Sequence, residues 1–143
     1  MSESIRIRKA DRGDVRAVDE INEQVVTYQP LLLKVRNALR GGAVWIAELD
    51  GAPVGYAIAS VHFFDNAFID LLIVHRGHRR KGVAQALIAA IEAWSPTDKL
   101  FTSTNESNEP MRALLERLGY TYSGTIDNLD EGDPERFYFK QLR

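Results

Sequence analysis

The stretch Leu71-Leu72-Ile73-Val74-His75-Arg76-Gly77-His78-Arg79-Arg80-Lys81-Gly82-Val83-Ala84-Gln85-Ala86-Leu87-Ile88 constrains the fold more than any other part of the sequence. It opens as an apolar run containing β-branched Ile73 and Val74, the composition of a buried strand. A basic turn with Gly77 and Gly82 follows. Val83, Ala84, Leu87, Ile88, Ile91 and Trp94 then recur at helical spacing. A strand that passes through a small-residue turn into a helix points backbone N–H groups, and the positive end of the helix dipole, at any anion placed there. Gly82 and Ala84 have little or no side chain, so a phosphate can approach the main chain closely. Arg79, Arg80 and Lys81 add positive charge at the same place. A basic surface loop without a ligand would have the same composition, and the rest of the chain has to separate the two.

Around this segment the apolar pattern divides into short elements. Ser4 to Arg8 alternates and predicts a strand. Asp11 and Asp14 mark a helix start, and Val15, Val18, Ile21 and Val25 give that helix one apolar face. Tyr28-Gln29-Pro30 interrupts; Leu31, Leu32, Val35 and Leu39 predict a second helix, ended by Gly41-Gly42. Two strands, Val44 to Leu49 and Pro53 to Val61, meet at the hairpin signal Asp50-Gly51. A second tight turn at Asp65-Asn66 leads into the strand that precedes the basic loop. Beyond the long helix, Ser95-Pro96 forces a stop. Leu100 to Thr104 predicts a strand, and Ser107 or Asn108 caps a helix with Met111, Leu114, Leu115 and Leu118 on one face, closed by Gly119. Tyr120 to Ile126 and Phe137 to Leu142 complete the strands, separated by an acidic, flexible-looking Asp127 to Glu135. The order β-α-α-β-β-β-α-β-α-β-β is an α/β class of fold, a mixed sheet flanked by helices.

With 143 residues the chain fits a single domain over 1–143, and no linker, repeat or low-complexity tract divides it. A net charge of -2 gives no global field for nucleic acid, so any polyanion site is local. The absence of cysteine excludes a disulfide framework, a thiolate nucleophile and a Cys-based metal site. Three scattered histidines without a carboxylate cluster predict no metal site. Ile5-Arg6-Ile7-Arg8-Lys9 does not build a signal-peptide core, and no apolar run reaches membrane-spanning length, so a cytoplasmic location is expected.

The loop spacing matches neither the G-x-x-x-x-G-K-[ST] of nucleotide hydrolases nor the G-x-G-x-x-G of dinucleotide folds. Arg79-Arg80-Lys81-Gly82-Val83-Ala84 instead resembles the [QR]-x-x-G-x-[GA] signature of the GNAT N-acetyltransferase superfamily. Asn108, followed by Leu114-Leu115-Glu116-Arg117-Leu118-Gly119-Tyr120, resembles that family's N-x-x-[AS]-x-x-[LF]-[YL]-x-[KR]-x-G-[FY]. The predicted element order is also the one the family uses, so the resemblance spans nearly the whole chain.

That resemblance implies a GNAT fold and acetyl-CoA as donor. It implies transfer of the acetyl group to a primary amine of a small molecule or peptide by direct attack in a ternary complex. By the same likeness the strand before the loop splays from its parallel neighbour to admit the pantetheine arm. Main-chain amides of Arg79, Arg80, Gly82, Val83 and Ala84 ring the pyrophosphate, and the backbone N–H near Val74 polarises the thioester carbonyl. The cofactor-contacting set it implies is Leu72, Ile73, Val74, Arg79, Arg80, Lys81, Gly82, Val83, Ala84, Asn105, Asn108 and Leu115. An alkylammonium, with a reference pKa of about 10.4, needs a base at neutral pH. Asp70, an acid inside an apolar strand, is the candidate, ahead of Glu48 and His62. Tyr28 and Gln29, with Glu48, His62 and the acidic loop, are the candidate acceptor-binding residues. Leu115 stands where the family often has a proton-donating tyrosine, which keeps open a non-catalytic acyl-CoA-binding module and leads to the expectation that no tyrosine is essential. The partners implied are a small-molecule or peptide amine and, through an exposed C-terminal edge, a second copy in a homodimer; neither nucleic acid nor membrane is expected.

Overall fold

The computed structural model describes residues 4–25, 38 and 43–143. Its strands are β1 (Ile5–Lys9), β2 (Val44–Leu49), β3 (Ala52–Phe63), β4 (Asn66–Val74), β5 (Lys99–Asn105), β6 (Thr121–Ile126) and β7 (Glu135–Gln141). Its helices are α1 (Val15–Val25), α2 (Val83–Trp94) and α3 (Glu109–Arg117). The strands form one mixed sheet in the order β1-β2-β3-β4-β5-β7-β6. The described chain packs as two compact units that share β3 and β4: residues up to Ala59 with Leu71–Ala93, and Ser60–Asp70 with Trp94–Arg143. Of the expected second helix, only Ala38 lies among the described residues, and it is helical.

In the first unit β1 pairs antiparallel with β2 from Ile5↔Leu49 to Lys9↔Trp45. β2 pairs antiparallel with β3 from Val44↔Ile58 to Leu49↔Ala52, with a register shift between Ala47 and Glu48. Asp50 and Gly51 both take positive φ, 50° and 87°, the left-handed pair that a two-residue hairpin needs. Val18 and Ile21 of α1 are buried against Val44, Ile46, Tyr56 and Ile58, with Leu71 and Ile73 of β4 packed on the same cluster. Each aliphatic side chain fully buried there contributes about 1.5–3 kcal/mol, before the entropy of ordering is counted. Burial raises the Tyr56 phenol above its ordinary value, and the nearby Asp19 charge adds to the effect, so Tyr56 is a core residue.

Polar groups fix how α1 enters. The Asp11 carboxylate accepts from Gly13 N (2.8 Å), and Asp14 accepts from Asp11 N (2.9 Å), a reciprocal capping box on a short 3₁₀ turn that runs into α1. The Arg8 guanidinium donates to both oxygens of Asp14 at 2.8 Å and lies 3.5 Å from Glu48. The Arg8 hydrogen bond holds the Asp14 carboxyl below its ordinary 3.8, against the opposing effect of burial.

In the second unit β4 runs parallel to β5, registering Ala67 against Leu100, Phe68 against Phe101 and Ile69 against Thr102. The Thr102 hydroxyl donates to Ile69 O (3.2 Å), a buried bond. β5 and β7 pair antiparallel from Lys99↔Gln141 to Asn105↔Glu135, and β7 carries β6 on its other side. Leu100, Thr102 and Thr104 face the buried side of β5, while Phe101, Ser103 and Asn105 alternate onto a half-exposed side. Phe63 packs there against Phe68 (ring centroids 4.7 Å), Phe101 (5.2 Å) and Phe137 (5.7 Å).

Several strand ends shift by one or two residues from those expected, and three features differ in kind or cause. The β3–β4 turn is centred on Phe64 and Asp65 (φ 51° and 63°), and the Asn66 amide, which was placed inside the turn, donates to Phe64 O (2.9 Å). β7 begins at Glu135, because pairing with Asn105 of β5 and Ile126 of β6 extends it past Phe137. The 127–134 connection, expected to be flexible, is tied by side-chain bonds described below. Among the described residues no helix is long and apolar enough to cross a membrane.

Asp14 is the buried carboxylate that ties β1 to the start of α1. Because its folded value is depressed, its contribution is complete above the ordinary 3.8 and is lost as the pH falls through the folded value. Asp14→Asn should cost about 2 kcal/mol at pH 7. Denaturant titrations should show that cost shrinking once the pH falls below about 3.8.

Candidate functional site

β4 ends where the apolar run ends. His75 N donates to Val54 O (2.7 Å), the last tie of this strand to β3. The backbone then closes a short 3₁₀ turn over Arg76–His78, in which His78 N donates to His75 O (2.9 Å). Gly77 N donates to His75 Nδ1 at 3.0 Å, so the imidazole itself caps the turn. Arg79 Nε donates to Val74 O (3.4 Å). Arg80 holds a left-handed φ of 64°, uncommon for a non-glycine residue, and Gly82 holds 82°. Ala86 N then donates to Gly82 O (3.0 Å), the first bond of α2.

The amides of Val83, Ala84 and Gln85 therefore belong to the first turn of a twelve-residue helix, where no earlier helical carbonyl can receive them. A Cβ added at Gly82 would meet only Ile5 Cδ1, at 3.9 Å, so the loop backbone is open to a ligand. Arg76, Arg79, Arg80 and Lys81 are exposed around it. Val83, Leu87, Ile88 and Ile91 anchor the helix in the core. Gly55 lets it start close to the sheet, since a Cβ there would lie 3.0 Å from Ile73 O and 3.2 Å from Val83 Cγ1. Backbone donors, a helix dipole and exposed cations in one loop suit a phosphate or pyrophosphate. Leu72, Ile73 and Val74 lead into it as the last residues of β4, Val74 buried and the other two half-buried.

The second unit holds the remaining expected residues. Asn108 is the cap of α3, its Oδ1 accepting from Met111 N (3.3 Å). Leu115 is core, 1% exposed. The Asn105 amide donates to Asp130 (2.8 Å) and to Asp133 O (3.4 Å), while the Ser107 hydroxyl donates to Asp133 (2.6 Å). These bonds tie the acidic connection to the end of β5. Asp70 is half-buried in β4, on the strand face of Phe68 and Leu72.

Glu135 is a feature that sequence reasoning missed. Burial raises its carboxyl above the ordinary 4.5; the Ser103 hydrogen bond opposes that, and the Asp130 and Asp133 charges reinforce it. Its position opposite Asn105 depends on pairing between strands 30 residues apart in the chain, for which no local pattern exists.

Of the acceptor-binding candidates, Glu48 is engaged by Arg8 and His62 is exposed on β3. Tyr28 and Gln29 lie outside the described residues, as does most of the segment around them. Tyr56, Tyr120 and Tyr138 are buried, whereas Tyr122 is exposed.

Residues 15–120 match the family model described as the acetyltransferase (GNAT) family. The chain belongs to that family. A crystal structure of a GNAT-family acetyltransferase from Bacillus cereus is 33% identical and superposes with a TM-score of 0.92, covering 96% of this chain and 97% of that one. An uncharacterized N-acetyltransferase of Methanocaldococcus jannaschii is 28% identical over 120 residues, 80% of this chain and 76% of its own length. The fold alone is shared with a Salmonella typhimurium protein solved with its cofactor acetyl-CoA (20% identity, TM-score 0.77, 98% of this chain and 95% of that one). It is shared as well with Arabidopsis thaliana Naa50 in complex with the bisubstrate analogue CoA-Ac-MVNAL (15% identity, TM-score 0.78, 96% and 99% covered). The GNAT assignment makes acetyl transfer the general chemistry, with acetyl-CoA as the donor.

Glu135 supplies a test of the second unit. Its raised folded value means that its stabilising effect is present below the ordinary 4.5 and is lost as the pH rises through the folded value. Glu135→Gln should therefore raise the unfolding midpoint at pH 7 and leave it nearly unchanged at pH 4. Calorimetry at the two values checks the difference.

Proposed function

We propose that this GNAT protein is an acetyl-CoA-dependent N-acetyltransferase that acts on a primary amine of a small molecule or peptide, by direct attack with no acyl-enzyme. The observation that carries this is the exposed Arg79–Gly82 loop running into Val83 and Ala84 of α2, where left-handed Gly82 opens the backbone. Those residues fit the donor's pyrophosphate: main-chain amides and the helix dipole meet its charge, and Arg79, Arg80 and Lys81 add cations. Bound there, acetyl-CoA supplies an activated acetyl thioester.

The chain's own part is to place that carbonyl and take up a proton. The Val74 N–H serves as donor to the carbonyl oxygen, where negative charge grows as the amine nitrogen bonds to carbon and the carbon–sulfur bond breaks. Asp70 receives the proton released from the nitrogen. Four residues along an extended strand separate it from Val74, a rise of about 13 Å, so water carries the proton between them. Leu115 can donate nothing, and the departing thiolate, with a reference pKa near 8.5, takes its proton from solvent. No tyrosine is required in this scheme. The burial of Leu115 also favours a second reading, a module that binds acyl-CoA without turnover; release of free thiol in the presence of amines separates the two.

Acetyl-CoA at about a hundred times its dissociation constant adds roughly 2.7 kcal/mol of stability, so the thermal midpoint should rise by several degrees. Gly82→Glu, which sets a carboxylate in the loop, should abolish that rise, whereas Gly82→Ala, which adds backbone strain without charge, should keep most of it. No rise in folded wild-type protein would sink the donor-site reading. Once an amine is found, Asp70→Asn should lower kcat/KM by about a hundredfold at pH 7. The deficit should shrink at higher pH, where more of the amine is already free; an unchanged rate would remove Asp70 from the mechanism.

A further inference from the structure

His75 belongs to neither the cofactor-binding nor the catalytic set, yet three of its groups converge on the point where β4 becomes the loop. Its N–H reaches back to Val54 O at 2.7 Å. Its carbonyl accepts from His78 N at 2.9 Å, closing the turn. Its Nδ1 accepts from Gly77 N at 3.0 Å, the bond that an aspartate or asparagine oxygen makes in an Asx turn. Gly77 gives the ring room to lie over the backbone, since a Cβ at that position would stand 3.3 Å from Nδ1 and 3.4 Å from Cε1. The His78 ring packs beside it, with centroids 5.2 Å apart. Arg79 follows immediately, and Arg80 and Gly82 must then adopt left-handed conformations to bring the main chain to α2.

The geometry points to His75 as a positioning residue for the donor site, its Nδ1 acting as the hydrogen-bond acceptor that sets the direction in which the Arg79–Ala84 amides face. This deepens the donor-site reading above and rests on it. Only the acceptor at Nδ1 matters in this role. The ring must therefore be the tautomer with Nδ1 unprotonated, with any proton on Nε2. Because Gly77 is exposed, water replaces the bond when it is lost, so the fold survives and the loop loses its preferred direction. The consequence falls on donor affinity: a pre-organised anion site becomes one that must be ordered on binding.

Asparagine and glutamine separate this role from a merely structural one. His75→Asn places an oxygen near the position of Nδ1, while His75→Gln carries its oxygen one atom further, near that of Nε2. Acetyl-CoA binding by isothermal calorimetry should give His75→Asn the wild-type affinity and His75→Gln an affinity about fivefold weaker, the cost of ordering the loop on binding. Thermal midpoints without ligand should agree among all three proteins. Equal affinities throughout, or equal losses in both variants, would overturn the proposal, the second because the ring and not its acceptor would then matter. A fall in the unliganded midpoint of His75→Gln that accounts for its weaker binding would reduce His75 to a fold-stabilising contact, which also overturns it. Failure of the wild-type protein to bind acetyl-CoA removes the donor site itself and is recognised before any variant is compared.

Discussion

The exchange of partners at the end of β4 governs the rest of the structure. Of the backbone amides here, that of His75 is still held by the sheet, at Val54 O. From Ala86, whose N–H is held by Gly82 O, they are committed to a helix. Between those points the backbone must change direction while leaving donors exposed, and exposed donors are stable only where water or an anion can meet them. Much of the first unit secures that arrangement. Gly55 admits the start of α2 against the sheet, and Val83, Leu87, Ile88 and Ile91 bury the helix so that its N-terminus stays in place. Left-handed Arg80 shows the cost of the path: a non-glycine residue holds a conformation that glycine adopts freely.

Charged residues divide between holding the fold and remaining available for chemistry. Asp14 and Glu48 surround Arg8, fixing the entry to α1 and the edge of β2. Asp130 and Asp133, which look from composition like a solvated acidic loop, anchor that loop to Asn105 and Ser107. Asparagine side chains serve the fold, Asn105 as a tether between distant segments and Asn108 as a local helix cap. Asp70 and Glu135 lie half-buried in strands, and at Glu135 burial raises the carboxyl above its ordinary value. That difference in environment matters more to the chemistry than the number of acidic residues in the chain.

The sequence by itself determined most of the described elements and the basic turn between β4 and α2. Periodicity set α2 and α3, the Asp50-Gly51 pair set a hairpin with both residues left-handed, and Gly82 marked the left-handed turn that leads into α2. These are local matters: a helix face, a turn and a cap each need only residues within about one turn of one another. Small errors arose where local signals compete, as in the β3–β4 turn, which Asn66 stabilises from just outside.

Tertiary structure decided which polar side chains are spent and which are exposed to a ligand. Nothing in the sequence pairs Asn105 with Asp130, brings Glu135 opposite Asn105, or sets Arg8 between Asp14 and Glu48. Each depends on strand register or on the approach of segments distant in the chain, and register is fixed by the burial of whole faces rather than by any one residue. The cap made by the His75 ring is a local bond, yet its meaning is tertiary. It orients the loop because β3 holds the strand behind it and the core holds the helix ahead.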